Sequence, residues 1–360
     1  MAAVPSASGL TFLRKLLYLL IFLALTLGVA WLGAESYLAR RIAQGIAADP
    51  GAEAASVAPL REASRIGARI EAPTYRGPQG SVSLPWVEVW ATPYLPQDLH
   101  VAVADRATVD LGDRQVELRL SGAQMHARFA PTSGLALGQA GLQTGAVTMD
   151  TKPIFGGLEI KAALTQLGRD APRFARAAYD VELALDQADV GALAPIGLVT
   201  SQGQAVPLDP MSAQGVLRLY LTGAPVRGFW RHQASREPVA VVGLASAGLT
   251  VTIGDLQAVL RGHLSPGPDG LVNGVLIVDT ADARGFLQTA AGAGLIPPMA
   301  VALGAGLLTG LSTVTEEITP DYPPPPDGEI RLRLDFVDGE VRLAGESLGP
   351  APDFPGLAGR

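Results

Sequence analysis

The residue types that most often do chemistry in proteins are few in this sequence, and they are dispersed. The chain has no cysteine among its 360 residues, which excludes disulfides, thiolate-held zinc, iron–sulfur clusters and a cysteine nucleophile. None of its histidines has a second histidine or a carboxylate at the spacing of a metal site. The four are His100, His126, His232 and His263. We therefore predict no metal site and no cofactor, and we interpret His126 and His263 as surface or edge residues of strands.

Two glycine-containing stretches imitate catalytic motifs. Residues 345–349, GESLG, satisfy the G-x-S-x-G pattern of a nucleophile elbow, which requires an acid and a histidine later in the chain. Only eleven residues follow Gly349, and none is a histidine. Residues 304–310, GAGLLTG, lack the Lys-Ser/Thr pair of a phosphate-binding loop. We interpret the first stretch as a coincidental match and the second as helix packing.

Aspartates and tryptophans supply the remaining candidates. Asp186, Asp189, Asp279 and Asp282 are suitable types for an acid–base pair, but carboxylates near strand ends commonly cap turns and helices. A hydrophobic or carbohydrate-binding surface is one interpretation of the tryptophans, and packing on a sheet is the favoured one. Three of the four tryptophans are the candidates: Trp86, Trp90 and Trp230. The sequence therefore predicts no catalytic constellation and a protein that is not an enzyme.

The composition is that of an acidic, charge-poor and apolar chain. The formal net charge is −7, 17% of the residues are charged and 48% are hydrophobic, whereas about a quarter of the residues in a globular protein are usually charged. An acidic chain lacks the dense positive face that a nucleic acid requires, so we predict no nucleic-acid partner. The length suits one large or two ordinary domains.

An apolar run near the N-terminus accounts for part of this hydropathy. Residues 16–34, LLYLLIFLALTLGVAWLGA, carry no charge, and their number is close to the roughly twenty residues with which a helix crosses a bilayer. Arg14 and Lys15 precede the run, which favours a cytoplasmic tail at residues 1–15. The run predicts a transmembrane helix, either an uncleaved anchor or a secretory signal cleaved near residues 28–30. Both alternatives export the rest of the chain and make the membrane a partner through residues 16–34.

Changes in composition divide the rest of the chain. Residues 35–70 predict a helical neck, whose helix ends at Asp49-Pro50-Gly51. Residues 71–352 predict a β-rich exported domain, followed by a tail at 353–360. The stretch 193–210 is rich in proline and glycine and is the expected seam if this domain consists of two packed halves.

The pattern of the domain is mainly that of strands. Alternation of apolar and charged residues, as at 116–120, is typical of a strand with one wet face, and Asp338-Gly339 predicts a type I′ hairpin turn. Residues 281–315 are nearly uncharged, and Pro297-Pro298 divides them into a predicted pair of buried apolar helices. The expected fold class is α+β, mainly antiparallel β. It consists of an N-terminal transmembrane helix and a large curved-sheet domain with this packed apolar helix pair.

Several of these stretches resemble one bacterial family. The run 249–264 (LTVTIGDLQAVLRGHL), the early strand pair 86–96 (WVEVWATPYLP) and the final hairpin ending at Leu348-Gly349-Pro350 are similar to proteobacterial envelope proteins catalogued as domain of unknown function 2125. The resemblance covers about residues 65–352 and departs at 66–70 (IGARI), which keeps only the glycine of the family's Gly-Phe-Pro-like turn. It implies a single-pass inner-membrane protein with its main domain in the periplasm. It implies no activity, ligand or catalytic residue.

Two functions of different classes remain open. The first is a membrane-anchored envelope protein that binds a lipid or other apolar ligand on its β-rich domain, because a curved sheet beside an apolar helix makes an apolar cleft. The second is a non-catalytic structural or assembly factor that acts through protein partners at the membrane. A third alternative, an enzyme, requires a pocket that brings together several of the dispersed titratable residues.

Overall fold

A computed structural model describes most of the chain between residues 33 and 354. The described ranges are 33–62, 64–77, 80–112, 114–169, 171–189, 210–226, 239–292, 301, 322–323, 325, 327–343 and 345–354. Within these ranges the chain is mainly antiparallel β-structure arranged in two sheets. Helix α1 covers residues 33–48, and helix α2 covers Ala283–Gly292.

A large sheet of 15 strands and a small sheet of seven strands contain all the named strands. The large sheet has the order β2-β3-β6-β7-β10-β11-β14-β15-β16-β17-β18-β19-β20-β21-β22, and the small sheet the order β1-β4-β5-β8-β9-β12-β13. The strand bounds are β1 (Ala52–Glu53), β2 (Ser56–Pro59), β3 (Ile66–Glu71), β4 (Thr74–Gly77), β5 (Gly80–Ser83), β6 (Trp86–Thr92), β7 (Leu95–Val103), β8 (Arg106–Asp110), β9 (Gln115–Leu120), β10 (Gln124–Ala130), β11 (Ala136–Thr144), β12 (Val147–Met149), β13 (Lys152–Phe155), β14 (Gly157–Thr165), β15 (Ala177–Ala188), β16 (Met211–Leu221), β17 (Val241–Ile253), β18 (Leu256–Pro266), β19 (Val272–Thr280), β20 (Ile330–Val337), β21 (Glu340–Leu343) and β22 (Glu346–Pro350).

The chain passes from the large sheet into the small sheet and back again. Strand β7 is followed after two residues by β8, and β9 returns after three residues into β10. Backbone hydrogen bonds continue across this corner, since Ala104 N–H donates to the Trp86 carbonyl at 3.1 Å and Leu120 N–H donates to the Asp105 carbonyl at 2.8 Å. Gly122 takes a positive φ of 61° there, which glycine adopts without strain.

The register of the large sheet separates an apolar face from a polar one, because side chains alternate along each strand. One row of directly opposed residues is apolar along its whole length, and we name its side the inner face. This row consists of Leu142, Ile160, Leu183, Gly215, Leu249, Leu260, Val278 and Leu332. The adjacent row, on what we name the outer face, consists of Trp90, His100, His126, Gly141, Lys161, Glu182 and Val216.

The C-terminal strands roll up around the inner face and close it. After β22 the chain returns to the beginning of β19, where Phe354 N–H donates to the Gly270 carbonyl at 3.0 Å and Val272 N–H donates to the Pro352 carbonyl at 2.9 Å. Helix α2 packs into the same cluster through Leu287, which is fully buried together with Phe354 and Leu332. We name this region the sealed end.

A short crossing segment covers the inner face elsewhere. Residues 222–226 leave β16 and reach the beginning of β11, where Leu137 N–H donates to the Pro225 carbonyl at 2.7 Å. Tyr179 lies under this segment at 3% exposure and donates its hydroxyl to the Leu137 carbonyl at 2.6 Å. Ala224 packs against the buried cluster that contains Tyr179. We name residues 222–226 the strap.

The structure corrects the helical part of the expected fold class. In the part of the chain that the structure describes, no helix is long and apolar enough to span a membrane, so the predicted N-terminal transmembrane helix is not supported. Residues 16–32 of that prediction lie outside the described residues. Residues 33–34 begin α1, which carries the charged residues Glu35, Arg40 and Arg41.

The expected apolar helix pair is also not supported. The described residues contain one helix of this pair, α2, and Val301 is the only described residue of the predicted second helix. Helix α2 is amphipathic rather than apolar all round, because Leu287 is buried under the sealed end while Arg284 is exposed. A helix that covers one face of a sheet needs only one apolar side.

The sheet and several local predictions are confirmed. The fold is mainly antiparallel β, and Asp338 and Gly339 take φ values of 53° and 75° between β20 and β21, as a type I′ turn requires. Helix α1 ends before Asp49-Pro50-Gly51.

Within the predicted neck, β2 and β3 are already strands of the large sheet. Residues 193–209 of the predicted seam lie outside the described residues. Strand β15, which precedes them, pairs directly with β16, which follows them.

Candidate functional site

The middle of the inner face is an apolar surface that the described part of the protein leaves half-buried. It is formed by six side chains on four strands, β11, β14, β15 and β17. Among the described residues, none of the six belongs to a buried core cluster, and each is half-buried. We name these residues the open apolar stretch: Leu142, Leu158, Leu183, Leu185, Leu249 and Val251.

A missing side chain deepens the centre of this stretch. Gly215 stands between Leu183 and Leu249 in the row of opposed residues and contributes no side chain to it. The residue has a φ of 156°, and a Cβ atom built there would lie 2.6 Å from the Gly248 carbonyl oxygen. Glycine is therefore required at this position, and the inner face keeps a gap between two leucines.

The open apolar stretch lies between two closed regions. On one side is the cluster under the strap, which contains Tyr179, and on the other is the sealed end, which contains Val278. From β11 to β17 the stretch crosses four inter-strand steps, or about 19 Å at roughly 4.8 Å a step. The surface is thus elongated and uncharged, and it is bounded at two sides.

The outer face carries a set of connected depressions. The largest has a volume of about 440 Å³, and neighbouring ones of about 260 and 90 Å³ share Glu159 with it. Amide, hydroxyl and carboxylate groups line the largest depression, together with apolar residues that include Leu158 and Leu185 of the open apolar stretch. We name it the polar trough, and the side chains that define it are Gln143, Glu159, Ser212, Gln214, Thr250 and Thr252.

Aromatic and imidazole rings form a ladder next to the polar trough. The Trp90 and His100 rings are stacked with centroids 5.6 Å apart, and the His100 and His126 centroids are 6.2 Å apart. The Arg65 guanidinium lies 5.0 Å from the Trp90 ring centroid on the other side, within range of a cation–π contact. His126 lies over Gly141, where an added Cβ atom would clash with the imidazole. His126 and Gly141 also line the 90 Å³ depression.

Two carboxylates near the ladder and the trough, those of Asp98 and Glu159, are paired with cationic side chains. Asp98 is 5% exposed and accepts a hydrogen bond from Arg128 Nη2 at 2.6 Å, while its other oxygen lies 3.7 Å from His100 Nε2. Lys161 Nζ lies 2.7 Å from Glu159 Oε1. The hydrogen bond to this carboxylate raises the pKa of Lys161. Among the described residues, Asp186 is a trough carboxylate that has no such partner.

The histidines are closer together than their sequence positions suggest. His100 and His126 are directly opposed on β7 and β10, so the interpretation of scattered histidines is wrong for this pair. Their sequence separation gave no signal of this, because the pairing depends on the register of a hairpin that passes through the small sheet. His263 is exposed on β18. Within the described residues no group of three or more side chains is arranged to hold a metal ion.

Two of the four candidate aspartates, Asp279 and Asp282, serve structural roles, whereas Asp186 lines the polar trough. Asp279 is fully buried and accepts hydrogen bonds from Arg331 Nε at 2.7 Å and from Arg331 Nη2 at 2.9 Å. Arg261 also donates to Asp279. Asp282 accepts a hydrogen bond from the Gly285 amide at 2.8 Å and so caps helix α2. The sequence interpretation of carboxylates as caps is therefore confirmed for Asp282.

The remaining candidate residues do not come together. Gly345 lies in the turn between β21 and β22, and Ser347 lies within β22, whereas a nucleophile elbow needs a strand followed by a helix. On the outer face, the Arg69 guanidinium lies 4.7 Å from the centroid of the Trp86 ring. Trp230, His232 and the stretch 304–310 lie outside the described residues.

Comparison with known proteins gives one match. A family model described as "Uncharacterized protein conserved in bacteria (DUF2125)" matches residues 29–352, a span that contains every strand of both sheets. No curated protein matches the chain, and no solved structure does.

Proposed function

Because the chain belongs to the uncharacterised bacterial family of domain of unknown function 2125, we propose a function from its surfaces: the protein binds the acyl chain of a lipid on the open apolar stretch. One observation carries this proposal. The inner face is apolar along a complete row of strands, yet Leu183, Leu249 and their neighbours remain half-buried between two closed regions.

The chemistry of the stretch favours an acyl chain over a polar ligand. Its six side chains are all aliphatic, and each methylene group that a ligand buries against them contributes about 0.8 kcal/mol. The elongated outline, four inter-strand steps of roughly 4.8 Å each, suits a chain-like molecule. An apolar patch that stays open on a folded domain commonly marks a binding surface.

Binding of a fluorescent 16-carbon fatty acid to the delipidated full chain tests this proposal. Leu183→Asp places a charge in the stretch, and we expect it to weaken binding by about tenfold or more, which is at least 1.4 kcal/mol. Val216→Asp is the matched control. Val216 lies on the neighbouring strand β16 but on the outer face, and it is 46% exposed, so this variant should bind the probe as the wild type does.

A second variant separates loss of binding from loss of folding. Leu249→Trp fills the gap beside Gly215 without adding charge, so the protein should keep its circular dichroism spectrum and lose affinity for the probe. Mass spectrometry of the protein as purified should detect a lipid. Unchanged probe affinity in both inner-face variants would contradict the proposal.

The proposal includes the location and the class of protein. We propose that the protein acts in the bacterial cell envelope, where lipid is abundant, and that it is a binding protein rather than an enzyme. Fractionation of cells that express the full chain tests the location, and recovery with the cytoplasmic fraction would contradict it. The other expected role, a structural or assembly factor with a protein partner, predicts that crosslinking in intact cells captures one stoichiometric protein and that delipidation has no effect on it.

A further inference from the structure

The outer face offers a second surface, on the side opposite to the open apolar stretch. We propose that the polar trough binds a neutral oligosaccharide. This inference does not depend on lipid binding, because the polar side chains that define the trough lie on the face opposite to the open apolar stretch. Of the six residues of that stretch, Leu158 and Leu185 also border the trough.

The trough is built on one straight row of opposed residues. Gln143, Glu159, Ala184, Gln214 and Thr250 face one another across β11, β14, β15, β16 and β17. Ala184 is the smallest member and stands at the centre, so the longer side chains rise on both sides of it. The row thus forms a linear trough about 19 Å long, at roughly 4.8 Å for each strand step.

The hydrogen-bonding groups along this row are available to a ligand. Within the described part of the chain, the side chains of Gln143, Gln214, Thr250 and Thr252 make no hydrogen bond with other protein groups. An amide offers donors and an acceptor, and a hydroxyl offers both. Sugar hydroxyls have the same dual character, so a polyhydroxylated ligand is able to pair with each of these groups.

The charge of the trough selects against an anionic ligand. No arginine or lysine lines the 440 Å³ depression among the residues that the structure describes, which removes the usual partners of phosphate or carboxylate ligands. The Glu159 carboxylate is already paired with Lys161 at 2.7 Å, and Asp186 is the other acidic side chain of the lining. An uncharged ligand with many hydroxyl groups fits this lining better than an anion or an acyl chain.

The ring ladder extends the site beyond a single sugar. The 90 Å³ depression shares Gln143 and Glu159 with the trough and is lined by His100 and His126. Imidazole nitrogens are able to donate or accept hydrogen bonds, so these two residues extend the row of groups that pair with sugar hydroxyls. The continuity of trough and ladder therefore points to an oligosaccharide rather than a monosaccharide.

Calorimetric titration of the full chain with neutral hexasaccharides, one of β-1,4-linked N-acetylglucosamine and one of α-1,4-linked glucose, tests the proposal. We expect saturable binding of at least one of them. Gln214→Ala should weaken it by about tenfold, the loss expected for one or two hydrogen bonds to a neutral group. Gln115→Ala on β9 of the small sheet removes an exposed glutamine of the same type and should leave the affinity unchanged.

A steric variant keeps the test decisive if one amide contributes little. Ala184→Phe fills the centre of the trough from the solvent side, and we expect it to abolish sugar binding while binding of the acyl probe persists. Absence of saturable binding to both hexasaccharides would overturn the inference. Binding that is equal in Ala184→Phe and wild type would also overturn it, as would tighter, salt-sensitive binding of spermidine in the trough, which would identify a cation site instead.

Discussion

Two regions of the inner face are made of the same kind of residue and differ in how far they are buried. Val278 and Leu332 at the sealed end are fully buried, whereas Leu183 and Leu249, in the same row of opposed residues, are half-buried. Composition therefore does not explain the difference. The cause is what lies over the strands, since α2 and the returning C-terminal segment cover only the sealed end.

The sealed end is closed on its outer side as well. Asp279 and Arg331 neighbour Val278 and Leu332 along β19 and β20 but point to the opposite face, where they form a buried ion pair. Arg331 also donates to the carbonyl of Pro323. A region buried on both faces can serve as the stable part of the fold, and the open apolar stretch is then free to act as a surface.

The largest expected effect is at the buried ion pair of the sealed end. Asp279→Ala removes a fully buried carboxylate that pairs with both Arg261 and Arg331, and we expect a loss of about 3–5 kcal/mol in the free energy of unfolding. Asp180→Ala is the control, because its partner Arg218 is on the half-exposed outer face of the middle strands. That variant should cost about 0–1 kcal/mol. Urea denaturation followed by circular dichroism measures both, and equal losses would remove the distinction between the two regions.

The second effect compares leucines on the two regions directly. Leu287→Ala removes a fully buried side chain from α2, and we expect it to destabilise the protein by about 2–5 kcal/mol because a cavity remains. Leu183→Ala removes a half-buried side chain, and we expect about 1 kcal/mol or less. The same denaturation experiment applies. A large loss in Leu183→Ala would indicate that the open apolar stretch is core.

Local patterns in the sequence predicted the strands and turns better than the surfaces. The alternation at 116–120 and the Asp338-Gly339 turn depend on neighbouring residues, and both have the predicted structure. The opposition of His100 and His126, or of Gln143 and Glu159, depends on the register between strands, which no short window of sequence contains. For the same reason the alternating strands indicated an apolar face, but the sequence did not indicate which part of it α2 covers.

Helices were the least successful part of the prediction. The near absence of charge at 281–315 indicated two buried helices, yet the described part of this region is mainly one amphipathic helix whose start is fixed by Asp282. Low charge density alone cannot tell a helix buried all round from one that covers a sheet edge. The distinction depends on the partner surface, here the cluster around Leu332 and Phe354.

A pH effect tests the strap, the other closed region of the inner face. Burial raises the pKa of Tyr179 to about 12, above its value of about 10 in the unfolded chain. The native state therefore holds its proton where the unfolded state has lost it. The resulting stability is fully present below about pH 10 and is lost as the pH rises from about 10 to about 12, by about 1.4 kcal/mol for each pH unit. Absorbance at about 295 nm should show one phenol that ionises late, and Tyr179→Phe should remove this signal. If the Tyr179 phenol loses its proton below about pH 10.5, the strap does not exclude water.

The smallest effect concerns the turn that helps to close the sealed end. Gly339 has a φ of 75°, and a Cβ atom there would approach Asp269 Oδ2 and Leu271 Cδ1, each at 3.2 Å. Gly339→Ala should therefore cost about 1–2 kcal/mol, from the left-handed backbone conformation and the close contact. Gly345→Ala separates the two causes, because Gly345 has a φ of 87° with open space around it. The excess of the first loss over the second measures how tightly the sealed end is packed. If the two variants unfold at the same urea concentration, the turn is as loosely surrounded as the open middle of the sheet.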